Sequence, residues 1–350
     1  MKTVQIQASK TYSVEIGHSL LAEIGPRIAA LGQVRRVCIV SDSNVWPLYG
    51  EQVEASLLRA GLISCPFLIL AGESSKNFAN YLDLLNFLTE NHLTRSDVIV
   101  TLGGGVVGDL GGFAAATYLR GIRFVQMPTT LLAAVDASVG GKTAIDLPAG
   151  KNLAGAFWQP SLVLCDIDTL NTLPPGTFRD GCVEIITTAV LFDPELFRVL
   201  CRDGMAFDRE SVIACCVRHK RDVVCADEFD RGERQKLNLG HTIGHCVEAV
   251  SHYELSHGRS VAIGTAMIAR AAVHFGLCPQ ETATKIQWLL LNFELPIFTD
   301  CDPDLMAACA EQDKKCAGDT ITLVIPREIG QCVLHPVDVG ELESFIKAGL

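Results

Sequence analysis

The sequence predicts a two-part chain, an α/β Rossmann-like domain over residues 1–170 followed by an all-α domain over residues 171–350. Three observations predict it. Short β-branched runs alternate with helical patterns through the first part, the mark of a parallel sheet covered by helices. Long helical periods take over from about residue 175. Between the two, Pro174-Pro175-Gly176 punctuates the chain, with no low-complexity linker.

The elements follow in order. Apolar runs at residues 37–40, 66–70, 98–102, 124–127 and 162–164 read as strands, each halted by polar residues, glycine or proline. Helical patterns at residues 53–60, 78–90 and 110–119 lie between them. The second part reads as helices at residues 177–192, 194–202, 209–224, 242–249, 259–275 and 281–293. Residues 320–325 and 331–334 read as a terminal hairpin.

Hydrophobic residues make up 49% of the 350 and charged residues 20%, ample for a buried core, so disorder is excluded. Asp and Glu number 40 against 29 Lys and Arg, a net charge of −11. Bulk electrostatics then oppose nucleic acid and anionic membranes as partners, and an anionic ligand must be met by basic residues gathered locally. The 14 cysteines include one adjacent pair, Cys215 and Cys216, and no C-x-x-C. With no apolar signal core at the N-terminus, they read as reduced thiols of a soluble, cytoplasmic protein. The longest stretch free of charged residues is 152–165, 14 residues broken by Pro160. A membrane span needs roughly 20.

Residues 103–108, GGGVVG, satisfy G-x-G-x-x-G, with a strand running in and a helical pattern leaving. Such a turn lets a pyrophosphate approach backbone N–H groups at a helix N-terminus, although a tight packing turn has the same spelling. It follows the third strand-like run, which departs from the ordinary dinucleotide wiring. The acidic partner of a ribose would be Asp42, with Glu73 and Lys76 in the next loop. Residues 136–143 end in G-K-T but are no Walker A loop, because Asp136 holds the position of its first glycine. Anion binding and a solvated lysine in a flexible turn both remain open there.

His241 and His245 are four apart, on one helical face, and His257 precedes a later helix. Glu184 lies in an otherwise apolar helical run, where a carboxylate without a partner is costly. Two histidines and a carboxylate with an open position form a catalytic Zn²⁺-type ligand set. Satisfied core or surface histidines are the alternative, the reading given to His18, His92, His219, His252, His274 and His335.

Together these segments closely resemble the 3-dehydroquinate synthase family. The resemblance is nearly continuous over residues 103–257, through GGGVVGDLGGFAAATYLRGIRFVQMPTTLLAAVDASVGGKT, GKNLAGAFWQP, DTLNTLP, LNLGHTIGH and LSHG. It continues in DKK and IPREIG and, more loosely, in the earlier SDSN and GESSK. It implies an NAD-binding domain, a helical metal- and substrate-binding domain and an active site between them. It also implies a homodimer in which Arg120 reaches the neighbouring subunit's site. The implied reaction converts 3-deoxy-D-arabino-heptulosonate 7-phosphate to 3-dehydroquinate and phosphate, a step of the shikimate pathway. Transient oxidation, phosphate elimination, reduction, ring opening and an aldol step follow one another with no net redox change.

Residue by residue, the resemblance makes Glu184, His241 and His257 the ligands of Zn²⁺ or Co²⁺. Asp42, Asn44, Glu73, Lys76, Gly104, Gly105, Asp109, Thr129, Thr130, Asp136, Lys142, Lys151 and Thr172 match the NAD site. Arg120, Lys142, Lys151, Asn152, Asn238 and Lys314 match substrate positions, most of them around the phosphate. Lys220 and Arg234 match cations near the substrate carboxylate, His245 a polar group near the reacting centre, and Asp230 an acid beside the metal. Two positions depart. Thr187 stands where the family usually has lysine in E-V-I-K, and Arg259 where it has glutamate in H-G-E. The alternatives are an inosose- or valiolone-forming cyclase, a metal-dependent polyol dehydrogenase of the glycerol dehydrogenase type, or an inactive binding protein of the same fold.

Overall fold

The computed structural model describes residues 1–314 and 320–350, with the side chains of residues 1–310 and 320–350. In chain order come β1 (Lys2–Gln7), β2 (Thr11–Gly17), α1 (Ile24–Ala29), β3 (Arg36–Asp42), α2 (Trp46–Arg59), β4 (Ile63–Ile69) and α3 (Phe78–Glu90). Then follow β5 (Val98–Gly103), α4 (Gly105–Thr117), β6 (Arg123–Pro128), β7 (Lys142–Leu147), β8 (Gly150–Phe157) and β9 (Leu162–Asp166). The helices α5 (Pro175–Phe192), α6 (Pro194–Asp203), α7 (Arg209–Ala226), α8 (His241–Val250), α9 (His257–His274), α10 (Gln280–Asn292) and α11 (Pro303–Lys314) come next. The chain closes with β10 (Thr320–Glu328), β11 (Gln331–Asp338) and α12 (Val339–Gly349).

Two compact units result, Met1–Pro174 with Arg209–Phe229, and Pro175–Asp208 with Asp230–Leu350. The expected division after residue 170 thus falls at Pro174, and α7 joins the first unit. The reason lies in its buried face, Val212, Ile213, Cys216, Val217 and Val224, which an amphipathic pattern reveals without naming what it covers. Within its unit α7 lies against β1 and β2, and Lys2 Nζ donates to Ser211 Oγ at 2.7 Å.

The first unit is built on a seven-stranded sheet in the order β1-β2-β9-β6-β5-β3-β4. Every pairing is parallel except β1 with β2. All five expected strands are present, and their unbroken apolar runs suit a sheet covered on both faces. Val37, Ile39, Val98 and Val100 pack on one side with Val53 and Leu57 of α2. Cys38, Val40 and Ile99 pack on the other with Leu84 of α3 and Leu110 of α4. The chain passes from β3 out to β4, then back across β3 to β5. The strand order therefore reverses between β3 and β5, where open α/β sheets bind ligands.

The G-K-T segment is a hairpin strand and not a flexible turn, for Lys142 opens β7 and pairs with Phe157 of β8. The second unit is helical apart from one antiparallel hairpin, β10 with β11, which stands where the sequence analysis expects a terminal hairpin. At its centre α9 packs against α5, α8, α10 and α12. Among the described residues, no helix is long and apolar enough to cross a membrane.

Candidate functional site

In the first unit three neighbouring parallel strands bring the expected nucleotide-site residues to one sheet edge. Ser41 of β3 is in register with Leu102 of β5, so Asp42 and Gly103 end adjacent strands. Thr129 follows β6, and its N–H donates to the Gly103 carbonyl at 3.0 Å. Helix α4 starts at Gly105 with Gly104 as its N-cap, so no side chain caps its first N–H groups. A Cβ on Gly104 would stand 3.0 Å from Thr130 Cγ2. The Thr129 hydroxyl is buried with no hydrogen-bond partner among the described residues. Open N–H groups, a bare glycine and an orphaned hydroxyl at a switch point together fit a dinucleotide.

Asp42 also shapes the loop into α2, because its Oδ1 accepts from the N–H groups of Asn44 at 2.8 Å and Val45 at 3.0 Å. That turn and Pro47 start α2 seven residues before the expected position. Asn44 itself is exposed. Thr172 is held by Tyr49, hydroxyl to hydroxyl, at 2.5 Å.

Lys76 is buried at the centre of a polar cluster. Its Nζ lies 2.7 Å from Asn152 Oδ1, 3.0 Å from Glu73, 3.1 Å from Asp109 and 3.7 Å from Asp146. Burial pulls the ammonium pKa down, but the carboxylates of Asp109, Glu73 and Asp146 outweigh it and leave it raised. Burial likewise pushes the Asp109 carboxyl up to about 6, against the pull of Lys76. The Lys76 carbonyl accepts from the Asp146 N–H at 2.8 Å, tying this loop to β7. Asn152 is exposed on β8 at φ +58°, and its N–H donates to Asp146 Oδ1 at 2.8 Å. Lys151 is partly buried beside it and Lys142 is exposed.

Arg120 is exposed in a strained turn, with Leu119 at φ +50° and Arg120 at φ +67°. Two successive left-handed residues that are not glycine cost of order 1–3 kcal/mol each, and such strain clusters at functional sites. Lys220, buried on α7, bonds both the carbonyl of Asp136, at 2.7 Å, and its carboxylate. A residue matched to the substrate carboxylate is thus paired with one matched to the nucleotide.

The second unit brings the three expected metal ligands together from three helices. Glu184 sits on the buried stretch of α5, His241 opens α8 and His257 opens α9. Glycines make the crossing close, since a Cβ on Gly264 would stand 2.1 Å from the Gly240 carbonyl oxygen, and one on Gly244 2.9 Å from that of Ser260. The start of α9 is fixed on α5 by Ser256, whose hydroxyl donates to Asp180 Oδ1 at 2.8 Å. Gly258 touches the Asp180 backbone there, where a Cβ would meet its carbonyl oxygen at 2.4 Å. Burial pushes the Asp180 carboxyl up, against the opposing pull of Arg259 and His257.

Nε2 of His241 and of His257 lie 3.6 Å and 3.7 Å from Glu184 Oε1. That oxygen is buried and accepts no hydrogen bond among the described residues. The three ligand atoms lie within 4.8 Å of one another. Each histidine has a partner on its other nitrogen, the Leu239 carbonyl 3.2 Å from His241 Nδ1 and Glu248 Oε2 3.5 Å from His257 Nδ1. Burial opposes charge on His257, yet Glu184 and Glu248 push its pKa up to about 10. The site calls for positive charge, and two nitrogens with a carboxylate suit a divalent ion.

Other expected residues of this unit stand around the trio in sequence. His245 is exposed one turn along α8, its ring 5.6 Å from that of His241 and 5.8 Å from that of His257. Arg234, 1% exposed, and Asn238 lie in the short 3-10 segment before α8, with Asp230 at φ +58° earlier in the same loop. Lys314 ends α11, and its side chain lies outside the described residues. The departure Thr187 is 2% exposed, its hydroxyl 3.2 Å from the Glu184 carbonyl and 3.5 Å from Glu184 Oε2. Glu248 was not among the expected residues. Its signal was present, a carboxylate in the apolar run Cys246-Val247-Glu248-Ala249-Val250, on the helical face of His241 and His245.

Residues 66–180 match the family described as 3-dehydroquinate synthase N-terminal, and residues 181–316 the one described as 3-dehydroquinate synthase C-terminal. The chain is 41% identical to the 3-dehydroquinate synthase of Clostridium acetobutylicum, covering 99% of both. It is 45% identical to that of Caulobacter vibrioides, covering 96% of this chain and 95% of the relative. Among solved structures, ValA, the 2-epi-5-epi-valiolone synthase of Streptomyces hygroscopicus subsp. jinggangensis 5008 with NAD⁺ and Zn²⁺ bound, is similar at a TM-score of 0.89. It is 28% identical, over 99% of this chain and 98% of that one.

Proposed function

The chain belongs to the 3-dehydroquinate synthase family, and from that premise we propose that it converts 3-deoxy-D-arabino-heptulosonate 7-phosphate to 3-dehydroquinate and inorganic phosphate. The enzyme class is a carbon–oxygen lyase. The structural observation that carries the reading is the convergence of His241 and His257 on the orphaned oxygen of Glu184.

When bound, NAD supplies a hydride acceptor that is restored within the cycle, and a divalent ion, Zn²⁺ or Co²⁺, supplies Lewis acidity at the hydroxyl being oxidised. Glu184, His241 and His257 would hold the ion. Gly104, Gly105 and the N–H groups opening α4 would receive the dinucleotide phosphates, and Asp42 the ribose. Arg120, Lys142, Lys151, Asn152 and Lys314 would hold the substrate phosphate, with Lys220 and Arg234 meeting its carboxylate. Asn238 and His245 would orient the reacting hydroxyls, beside Asp230. The chain would work as a homodimer in the cytoplasm, where its cysteines would stay reduced.

The redox balance provides the test. With NAD⁺, Zn²⁺ and this substrate, phosphate should be released with no net gain in absorbance from NADH. Accumulating NADH would replace the assignment with a polyol dehydrogenase.

A further inference from the structure

We propose that Glu248 is a positioning residue for the metal site, acting through His257 by accepting its Nδ1–H and so turning the Nε2 lone pair toward Glu184. Glu248 is 5% exposed on α8, in an apolar run where a carboxylate is costly without a partner. Its Oε2 lies 3.5 Å from His257 Nδ1, while Nε2 of the same ring lies 3.7 Å from Glu184 Oε1. The imidazole is thus strung between two carboxylates on different helices. A neutral ring carries one proton, and the carboxylate on the Nδ1 side decides which nitrogen keeps it.

His241 makes the contrast. Its Nδ1 is 3.2 Å from the Leu239 backbone carbonyl, a partner fixed by the chain just before α8. His257 opens α9, so its orientation depends on a side chain of the neighbouring helix. Glu248 therefore couples the α8–α9 packing to the direction of one ligand nitrogen.

The inference rests on assigning Glu184, His241 and His257 to a divalent ion, and the experiment separates the two claims. Co²⁺ is titrated into the metal-free full-length protein, with affinity read by chelator competition and the site by its visible absorption. A wild-type protein with no such site would end the metal assignment itself. With the site present, Glu248→Ala should weaken Co²⁺ binding by about 10–100-fold, while Glu248→Gln, which keeps an acceptor, should lose less. In a His257→Ala background, Glu248→Ala should change affinity by less than about 2-fold, because the ring it orients is gone. Should Glu248→Ala fail to fold, Glu248→Gln carries the same pair of comparisons. Wild-type affinity in the Glu248 variants, or an equal loss with and without His257, would overturn the proposal.

Discussion

Gly264 of α9 faces Gly240, at the start of α8, so closely that a methyl group on it would lie 2.1 Å from the Gly240 carbonyl oxygen. Helices separated by side chains would hold His241 and His257 apart; here glycine lets the backbones touch. Gly264→Ala must push the helices apart, and such overpacking costs about 1–3 kcal/mol. The expected outcome is a lower midpoint in urea together with weaker Zn²⁺ binding by chelator competition. Lost stability with unchanged Zn²⁺ affinity would show that the crossing does not set the ligand spacing.

Thr187 stands where the sequence resemblance leads to an expected lysine, and it lies beside Glu184, a proposed metal ligand. Its hydroxyl lies 3.2 Å from the Glu184 carbonyl and 3.5 Å from Oε2 of the same residue. Thr187→Val keeps the shape and removes the hydroxyl, so Zn²⁺ affinity should fall about 5-fold, the worth of one hydrogen bond of about 1 kcal/mol. Unchanged affinity would leave Thr187 as packing alone.

The first unit carries a pH signature. The Asp109 carboxyl is pushed up to about 6 by burial, above the value near 3.9 of an unfolded chain. The native state then holds this proton more tightly than the unfolded state. The group's contribution to stability is therefore greatest below about pH 4 and declines as pH rises to about 6. Asp109→Asn removes the titration. Relative to that variant, the wild type should lose about 2 kcal/mol of unfolding free energy between about pH 4 and 6.5. Urea denaturation of the NAD-free protein across this range measures it, and parallel curves would contradict it.

Much of this molecule was legible in its residues, for identifiable reasons. The strands β3, β5, β6 and β9 are buried and carry unbroken apolar runs, and α3 falls on its expected residues because Asn77 caps it plainly. The hairpin β1–β2 was missed because it buries only alternate residues such as Val4, Ile6 and Val14, leaving a half-polar text. Helix α12 was overlooked although Leu342, Phe345, Ile346 and Gly349 mark its buried face and Asp338 and Glu341 form a capping box. The packing of α7 with the first unit could not be read, because its apolar face names no partner. At the candidate metal site the donor set is readable as chemistry, but the closeness of α8 and α9 is a property of backbone contact. Glu248 needed that contact to acquire its partner.

The measurement that tests the central claim most directly compares two seven-carbon phosphates, one carrying the carboxylate of 3-deoxy-D-arabino-heptulosonate 7-phosphate and one lacking it. Each is offered to the NAD- and Zn²⁺-loaded protein, before and after chelation, with phosphate release and 3-dehydroquinate formation followed together. The account predicts equal yields of both products from the carboxylated substrate, abolished by chelator and restored by Zn²⁺, with no turnover of the other. Preference for the substrate without the carboxylate, or phosphate release indifferent to chelation, would contradict it.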